Sequence, residues 1–207
     1  MKEKNLSNYI KRLLILVVGL TIAHLGVTLF LLSNLGSDPF NVLIQGIAHL
    51  LPLSHGTCHQ IICFLILGIL LFTARSYIKA GTFVCMFLGG PIIDFFTFLL
   101  TDFINADSSM VLRFVSLILG CFILAFGMTI VIQSKAGTGP NDLVAVVISD
   151  KTRWKFGVVR ICVDVCFALA GFLLGGTVGL GTIICAFLVG PAAQIFMPLS
   201  GKICSGV

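Results

Sequence analysis

GTFVCMFLGGP at Gly81–Pro91 and GTIICAFLVGP at Gly181–Pro191 are one segment written twice, 100 residues apart. Working outward with a one-residue slip to a shift of 101, the register continues to both ends. Arg12 meets Arg113, Gly19 meets Gly120, Gly26 meets Gly127 and Thr28 meets Thr129. Ser33 meets Ser134, Gly36 meets Gly137, Pro39 meets Pro140 and Gly56 meets Gly157. A greasy chain aligns Leu with Val by chance, but not this many glycines and prolines in order. Internal self-similarity decides architecture before any local reading does. It predicts two like units, residues 1–104 and 105–207.

Composition says what solvent those units face. The chain is 58% hydrophobic and only 10% charged, with a mean hydropathy of +1.13. Soluble domains carry about a quarter charged residues. Segments near the roughly 20 residues needed to cross hydrocarbon recur along the chain. Six are expected to span: Lys11–Ser33, Gly56–Ala74, Ala80–Asp102, Met110–Ser134, Lys155–Gly175 and Leu180–Leu199. The first follows a basic stretch, MKEKNLSNYIKR, as a secretory signal would. Its apolar run is too long and lacks a small-residue cleavage site, so it reads as a retained helix. Two apolar segments, Pro39–Leu51 and Pro140–Ser149, reach only about 15–20 Å as helices. Each starts with proline where a first helical turn accepts it. They read as re-entrant or interfacial helices.

Lysine and arginine set the orientation, because cytoplasmic loops hold the excess of them. If the short segments do not cross, twelve of the thirteen basic residues fall on one side, with both termini. Arg113 alone lies near the other. An eight-span reading would move Arg75, Lys79 and Lys135 outside and bring the acidic TDFINAD inside. The loop ARSYIKA is basic where its mate GGTVG is not, and DKTRWK is basic where LPLSHG is not. Equivalent loops therefore lie on opposite sides. The expected fold is all-α, with six transmembrane helices and two short ones in a 3+3 inverted repeat.

The net charge of +5 belongs to those loops; no basic stripe interleaved with aromatics points to nucleic acid. The eight cysteines lack zinc spacing, and Cys162 and Cys166, four apart, read as core packing. No phosphate loop or hydrolase motif is present, so no catalytic residue, metal or cofactor is expected.

The candidate site residues are the polar groups that the apolar background makes expensive. The turns GSDPFN and GTGPND interrupt the hydrophobic pattern at equivalent places, as at substrate sites of inverted-repeat transporters. They supply Asp38, Asn41, Asn141 and Asp142. The alternative is a pair of tight interfacial turns with Asp38 and Thr138 as N-caps. Asn41, Gln45 and His49 recur every four residues and form one polar stripe, lining a pathway or facing headgroups. Asp94 lies inside a span, and an intramembrane carboxylate is a functional hypothesis by default; its mate is Gln194. Arg160 and Asp164 share a helix face and can pair, and His59 and Cys63 are their mates. A pair that only neutralises itself is the competing reading. His24, alone in the first span, reads as a helix–helix hydrogen bonder.

The turn LGSDPFN, the span GTFVCMFLGGPIIDFF and the segment GTGPNDLV resemble the YczE/YitT-like bacterial integral membrane proteins over nearly the whole chain. The resemblance implies a multi-pass protein of the bacterial inner membrane, without implying a substrate. Asp38, Asn41, Asp94, Asn141 and Asp142 match the family's polar motif positions.

The expected function is a membrane transporter or permease for a small solute, with Asp38, Asn41, Gln45, Asp94, Asn141, Asp142, Arg160 and Asp164 around a site between the repeats. The alternatives are a non-transporting accessory or scaffold protein and a substrate-binding membrane subunit of an energised importer. Expected partners are a small-molecule solute and the lipid bilayer, with a homodimer or a membrane-protein partner left open and nucleic acid excluded.

Overall fold

Apolar stretches punctuated by glycine and proline fold here into eight α-helices among the described residues. The computed structural model describes residues 2–36, 38–51, 55–105 and 107–205. In order the helices are α1 (Lys2–Leu32), α2 (Pro39–Leu50), α3 (His55–Thr73), α4 (Ala80–Leu100), α5 (Met110–Gln133), α6 (Pro140–Thr152), α7 (Phe156–Leu173) and α8 (Leu180–Cys204). One 3₁₀ turn at Arg75–Tyr77 joins α3 to α4. Ser37 of the first turn, most of the LPLSHG loop and the side chains of His55 and His59 lie outside the described residues.

Among the described residues five stretches are long and apolar enough to cross a bilayer: Ser7–Leu32, Ala80–Leu100, Met110–Gln133, Phe156–Leu173 and Leu180–Cys204. The sixth expected span, α3, shows the apolar stretch Ile61–Thr73 among its described residues.

Exposure runs opposite to that of a soluble protein. Phe72 is 94% exposed and Phe98 83%, while Thr28, Thr82, Thr129 and Thr182 are buried. Lipid is as apolar as leucine, so helices associate through close packing and internal hydrogen bonds rather than by hiding hydrocarbon. The largest interface, α1 against α5, works this way. A Cβ on Gly26 would sit 2.3 Å from the Leu124 backbone nitrogen, and one on Gly127 2.2 Å from that of Ala23. Only glycine allows so close a crossing. Around this pair, α8 packs on α5 and α7, α4 on α1, and α2 on α7.

The two turns that begin the short helices share their backbone geometry. Asn34 and Lys135 are left-handed, at φ 49° and 58°, and Gly36 and Gly137 follow at 143° and 139°. Each turn is then fastened to a long helix in the other half of the chain. Gly81 N–H donates to the Ala136 carbonyl at 3.0 Å, and Gly181 N–H donates to that of Leu35 at 2.8 Å. The Thr82 and Thr182 hydroxyls cap the same two helix starts by accepting from Lys79 N–H and Gly179 N–H. A side chain at Gly137 would need a strained φ and would meet the Thr82 nitrogen at 2.5 Å.

Basic residues collect at one end of the bundle. Lys79 Nζ donates to the Lys135 carbonyl at 2.7 Å, and Lys151 Nζ to that of Thr73 at 2.8 Å. At the opposite end Arg113 donates to the carbonyls of Ser33 and Asn34, both at 2.7 Å, and so caps the C-terminus of α1.

Candidate functional site

The chain breaks before Pro39 and Pro140 because proline cannot continue a preceding helix but suits the first turn of a new one. Each break leaves a helix N-terminus with unsatisfied N–H groups, where negative charge is favoured. Asp38 caps α2, its carboxylate accepting from Phe40 N–H at 3.1 Å and Asn41 N–H at 3.2 Å. The Asn41 side-chain amide donates to the other carboxylate oxygen. In α6 the acidic group sits inside the first turn, at Asp142. The N-cap there is Gly139, not Thr138 as expected: Thr138 lies one residue too early, and its buried hydroxyl has no hydrogen-bond partner.

Asp142 is drawn to α7. Arg160, 10% exposed at its side chain, donates from Nη1 to Asp142 Oδ1 at 2.5 Å and from Nε to Asp164 Oδ2 at 2.9 Å. The Asn141 amide donates to the same Asp142 oxygen at 3.2 Å. Arg160 and Asp164 are therefore not a closed pair. The guanidinium bridges two helices, and its planar fork suits that task better than an ammonium would. Asp164 is 1% exposed, and its second oxygen, Oδ1, has no partner among the described residues. Arg160 thus faces two carboxylates, Asp142 of α6 and Asp164 of α7, with Asn141 held to the first.

Removing ions from water is costly, and the mutual attraction of a buried pair repays it only when every remaining lone pair is met. Here one carboxylate oxygen, Asp164 Oδ1, is not met among the described residues. An under-satisfied ionic cluster can take a polar ligand, exchange a proton, or break one carboxylate–guanidinium bond in favour of another. A cavity of about 240 Å³ at the basic end is lined by Tyr77, Lys79, Lys135, Gly137 and Thr138, and so borders the start of α6.

Other candidate residues lie elsewhere. Gln45 ties α2 to the turn between α7 and α8, its side-chain oxygen accepting from the Thr177 hydroxyl at 2.7 Å. The stripe Asn41, Gln45, His49 therefore does not act as one line: Asn41 turns to Asp38, and His49 lies near Gly175. Asp94 is exposed on α4, away from Arg160, with no partner among the described residues. Cys162 and Cys166 are exposed rather than part of the core, because the face of α7 that packs inward carries Arg160, Val163 and Asp164. His24 donates from Nδ1 to its own helix, at Leu20, while Nε2 faces Gly89 of α4. Thr138 and Gln194 are the polar residues whose surroundings the sequence left least defined. Gln194, read only as the mate of Asp94, accepts the Gly157 N–H at 3.1 Å.

Comparison with known proteins gives the following. A family model described as a family of unknown function, DUF6198, matches residues 10–198. The "Uncharacterized membrane protein YczE" of Bacillus subtilis is 30% identical over 183 residues, covering 88% of this chain and 83% of that one. An "Uncharacterized protein" of Haemophilus influenzae is 29% identical over 193 residues, covering 93% and 86%. The "Uncharacterized protein YyaS" of B. subtilis is 26% identical over 183 residues, covering 88% and 90%. No solved structure matches.

Proposed function

The chain belongs to the DUF6198 family and is a membrane protein, and from that premise we propose that it is a transporter for a small solute, with its site between two inverted repeats of three spans and one short helix each. One observation carries the reading: the helix that follows the second proline break brings Asp142 to the buried Arg160–Asp164 pair. An interrupted helix whose first turn meets an intramembrane ionic site suits solute binding at a repeat interface. The paired left-handed turns and the reciprocal Gly81–Ala136 and Gly181–Leu35 bonds support the repeat. In this reading residues 1–104 and 105–207 are the two units, α3 completes six spans, and the basic end with both termini faces the cytoplasm of a bacterial cell. The solute replaces a carboxylate on Arg160 or engages Asp164 Oδ1. No residue is assigned a catalytic role.

Proteoliposomes test this with a radiolabelled panel of amino acids, organic cations and carboxylates. Saturable uptake of one class is expected, with a loss of at least tenfold in Asp142→Asn and in Arg160→Gln. Uptake at background for the whole panel, together with stable co-purification of one membrane partner, would replace the transporter by the accessory role.

A further inference from the structure

The two proline breaks are alike in backbone and different in charge. Asp38, before Pro39, stands at φ −64° and ψ 156°, and Gly139, before Pro140, at φ −59° and ψ 151°. The two residues share one register, 101 residues apart. The first break carries its own anion, because the Asp38 carboxylate caps α2. The second has glycine in that place, and α6 has no side-chain cap. Its first-turn acid, Asp142, is turned to Arg160 on α7. Two other positions of the second break carry cations. Lys135 stands in the register of Asn34, with the same left-handed backbone. Lys79, the N-cap of α4, stands where α8 has Gly179. One carboxylate, Asp38, and one cation, Arg113, serve the first break; two lysines and a glycine serve the second.

The cavity of about 240 Å³ at the basic end lies at this second break. Lys79, Lys135 and Thr138 are among its polar lining, and Ile132, Leu143 and Val146 are apolar. Lys79 Nζ gives one N–H to the Lys135 carbonyl, at 2.7 Å, and an ammonium has two more. Neither lysine has a carboxylate within ion-pair distance among the described residues, where the ion pairs are those of Arg160. Asp150, on the same short helix, sits beside Tyr77. Thr138 is 3% exposed, and its hydroxyl has no hydrogen-bond partner among the described residues. Two ammonium groups, an unmatched hydroxyl and an uncapped helix start around one hollow all call for oxygen atoms carrying negative charge. A phosphate spreads its charge over several acceptor oxygens and can meet more of these groups at once than a single carboxylate can.

We propose that this cavity is a phosphate site and that a phospholipid headgroup is what fills it. The phosphate lies between Lys79 and Lys135, and the glycerol and upper acyl carbons lie on Ile132, Leu143 and Val146. Basic pockets between membrane helices take anionic headgroups in this way. The cavity is at the end of the bundle where basic residues collect, and its lining comes from the start of α4, the end of α5 and one face of α6. A bound lipid therefore ties these three elements together. It supplies from outside the chain the negative charge that Asp38 supplies from within it at the first break. By fastening α6 it also steadies the helix that carries Asp142 to Arg160. The site stands whether or not a solute crosses at Arg160.

Native mass spectrometry of the full chain in mild detergent tests this, with phosphatidylglycerol, phosphatidylethanolamine and diacylglycerol offered at equal concentration. The phospholipids should stay bound at collision energies that strip diacylglycerol, which lacks the phosphate, and phosphatidylglycerol should be held best. Lys79→Gln with Lys135→Gln should cut phosphatidylglycerol retention roughly thirtyfold, from what two lysines contribute toward an anionic lipid. Lys79→Arg with Lys135→Arg should keep it, as should Lys155→Gln with Lys202→Gln, two cations outside the cavity. Gly139→Asp writes Asp38 into the second break, at a backbone that already fits it. It should raise the melting temperature of lipid-free protein and weaken phosphatidylglycerol retention, which separates a lost site from a lost fold. Equal retention of phosphatidylglycerol and diacylglycerol overturns the site, as does retention that survives removal of both lysines. Unchanged retention in Gly139→Asp overturns the equivalence of the bound phosphate with Asp38. A parallel arm adds inorganic phosphate alone. If it raises the melting temperature with the same lysine dependence while no lipid is retained, the phosphate site stands and the lipid is overturned as its bearer.

Discussion

Arg160 is the residue on which the polar centre depends. It holds Asp142 on α6 and Asp164 on α7, and Asp164 is the more deeply buried of the two. Removing the guanidinium strands a charge in a poor solvent. Removing one partner of a buried pair costs about 3–5 kcal/mol, while replacing both by apolar groups of similar size is often close to neutral. Arg160→Met should therefore lower the melting temperature in detergent sharply, measured as loss of the monodisperse peak after heating. Arg160→Met with Asp164→Leu should recover much of that loss, because Asp142, 22% exposed, can be met by water. An additive double variant would mean that the two side chains do not share one network. Asp38 makes a smaller prediction. Asp38→Ala removes an N-cap accepting two backbone N–H groups, a loss of about 1 kcal/mol, and Asp38→Asn should keep most of it.

At the scale of the helix the decisive contacts are made by what is missing. Gly26 and Gly127 let α1 and α5 cross with backbone against backbone, and an added methyl group at either would fall within 2.3 Å of a neighbouring nitrogen. Gly26→Ala and Gly127→Ala should each cost about 1–3 kcal/mol, the range for overpacking a tight interface. Gly68, on α3, has nothing within 4 Å, so Gly68→Ala should instead gain up to about 1 kcal/mol of helix propensity. The same melting assay reads all three with opposite signs. These elements show how far sequence reaches. Five of the six expected spans were legible because hydrocarbon demands long apolar runs, and the short helices because a proline in a glycine-containing turn starts a new helix. Arg160 with Asp164 was legible from helical spacing. The bond from Arg160 to Asp142 was not: periodicity gives the face a residue occupies, not the element that covers it. Cys162 was misplaced for a related reason: the spacing put it with Cys166 on one face but did not say that this face of α7 is turned outward.

At the scale of the molecule the question is how two nearly equal halves come to differ. The two halves share their turn geometry and their helix starts, yet α7 meets α8 backbone to backbone at Gly157 and Gly190, while Gly90 of α4 has no neighbour within 4 Å among the described residues. Nothing in the alignment distinguishes them except substitutions such as Ile93 for Ala193 and Asp94 for Gln194. A monomer with true two-fold symmetry would hold both hairpins alike, and the bundle would be either sealed or open at both ends. In the proposed inverted repeat, asymmetry between the halves would allow one end to be shut at a time, so the proposed orientation of the halves matters more than their sequence identity. That orientation has a direct test. A reporter tag inserted after Lys79, in the basic loop, should lie in the cytoplasm, and one after Ser109, in the acidic linker, on the far side, because α4 crosses once between them. Protease protection in spheroplasts reads both. Tags in the same compartment would place the halves the same way up. The equivalent helix pairs of the two halves would then face the same side of the membrane, and the proposed inverted repeat would be lost.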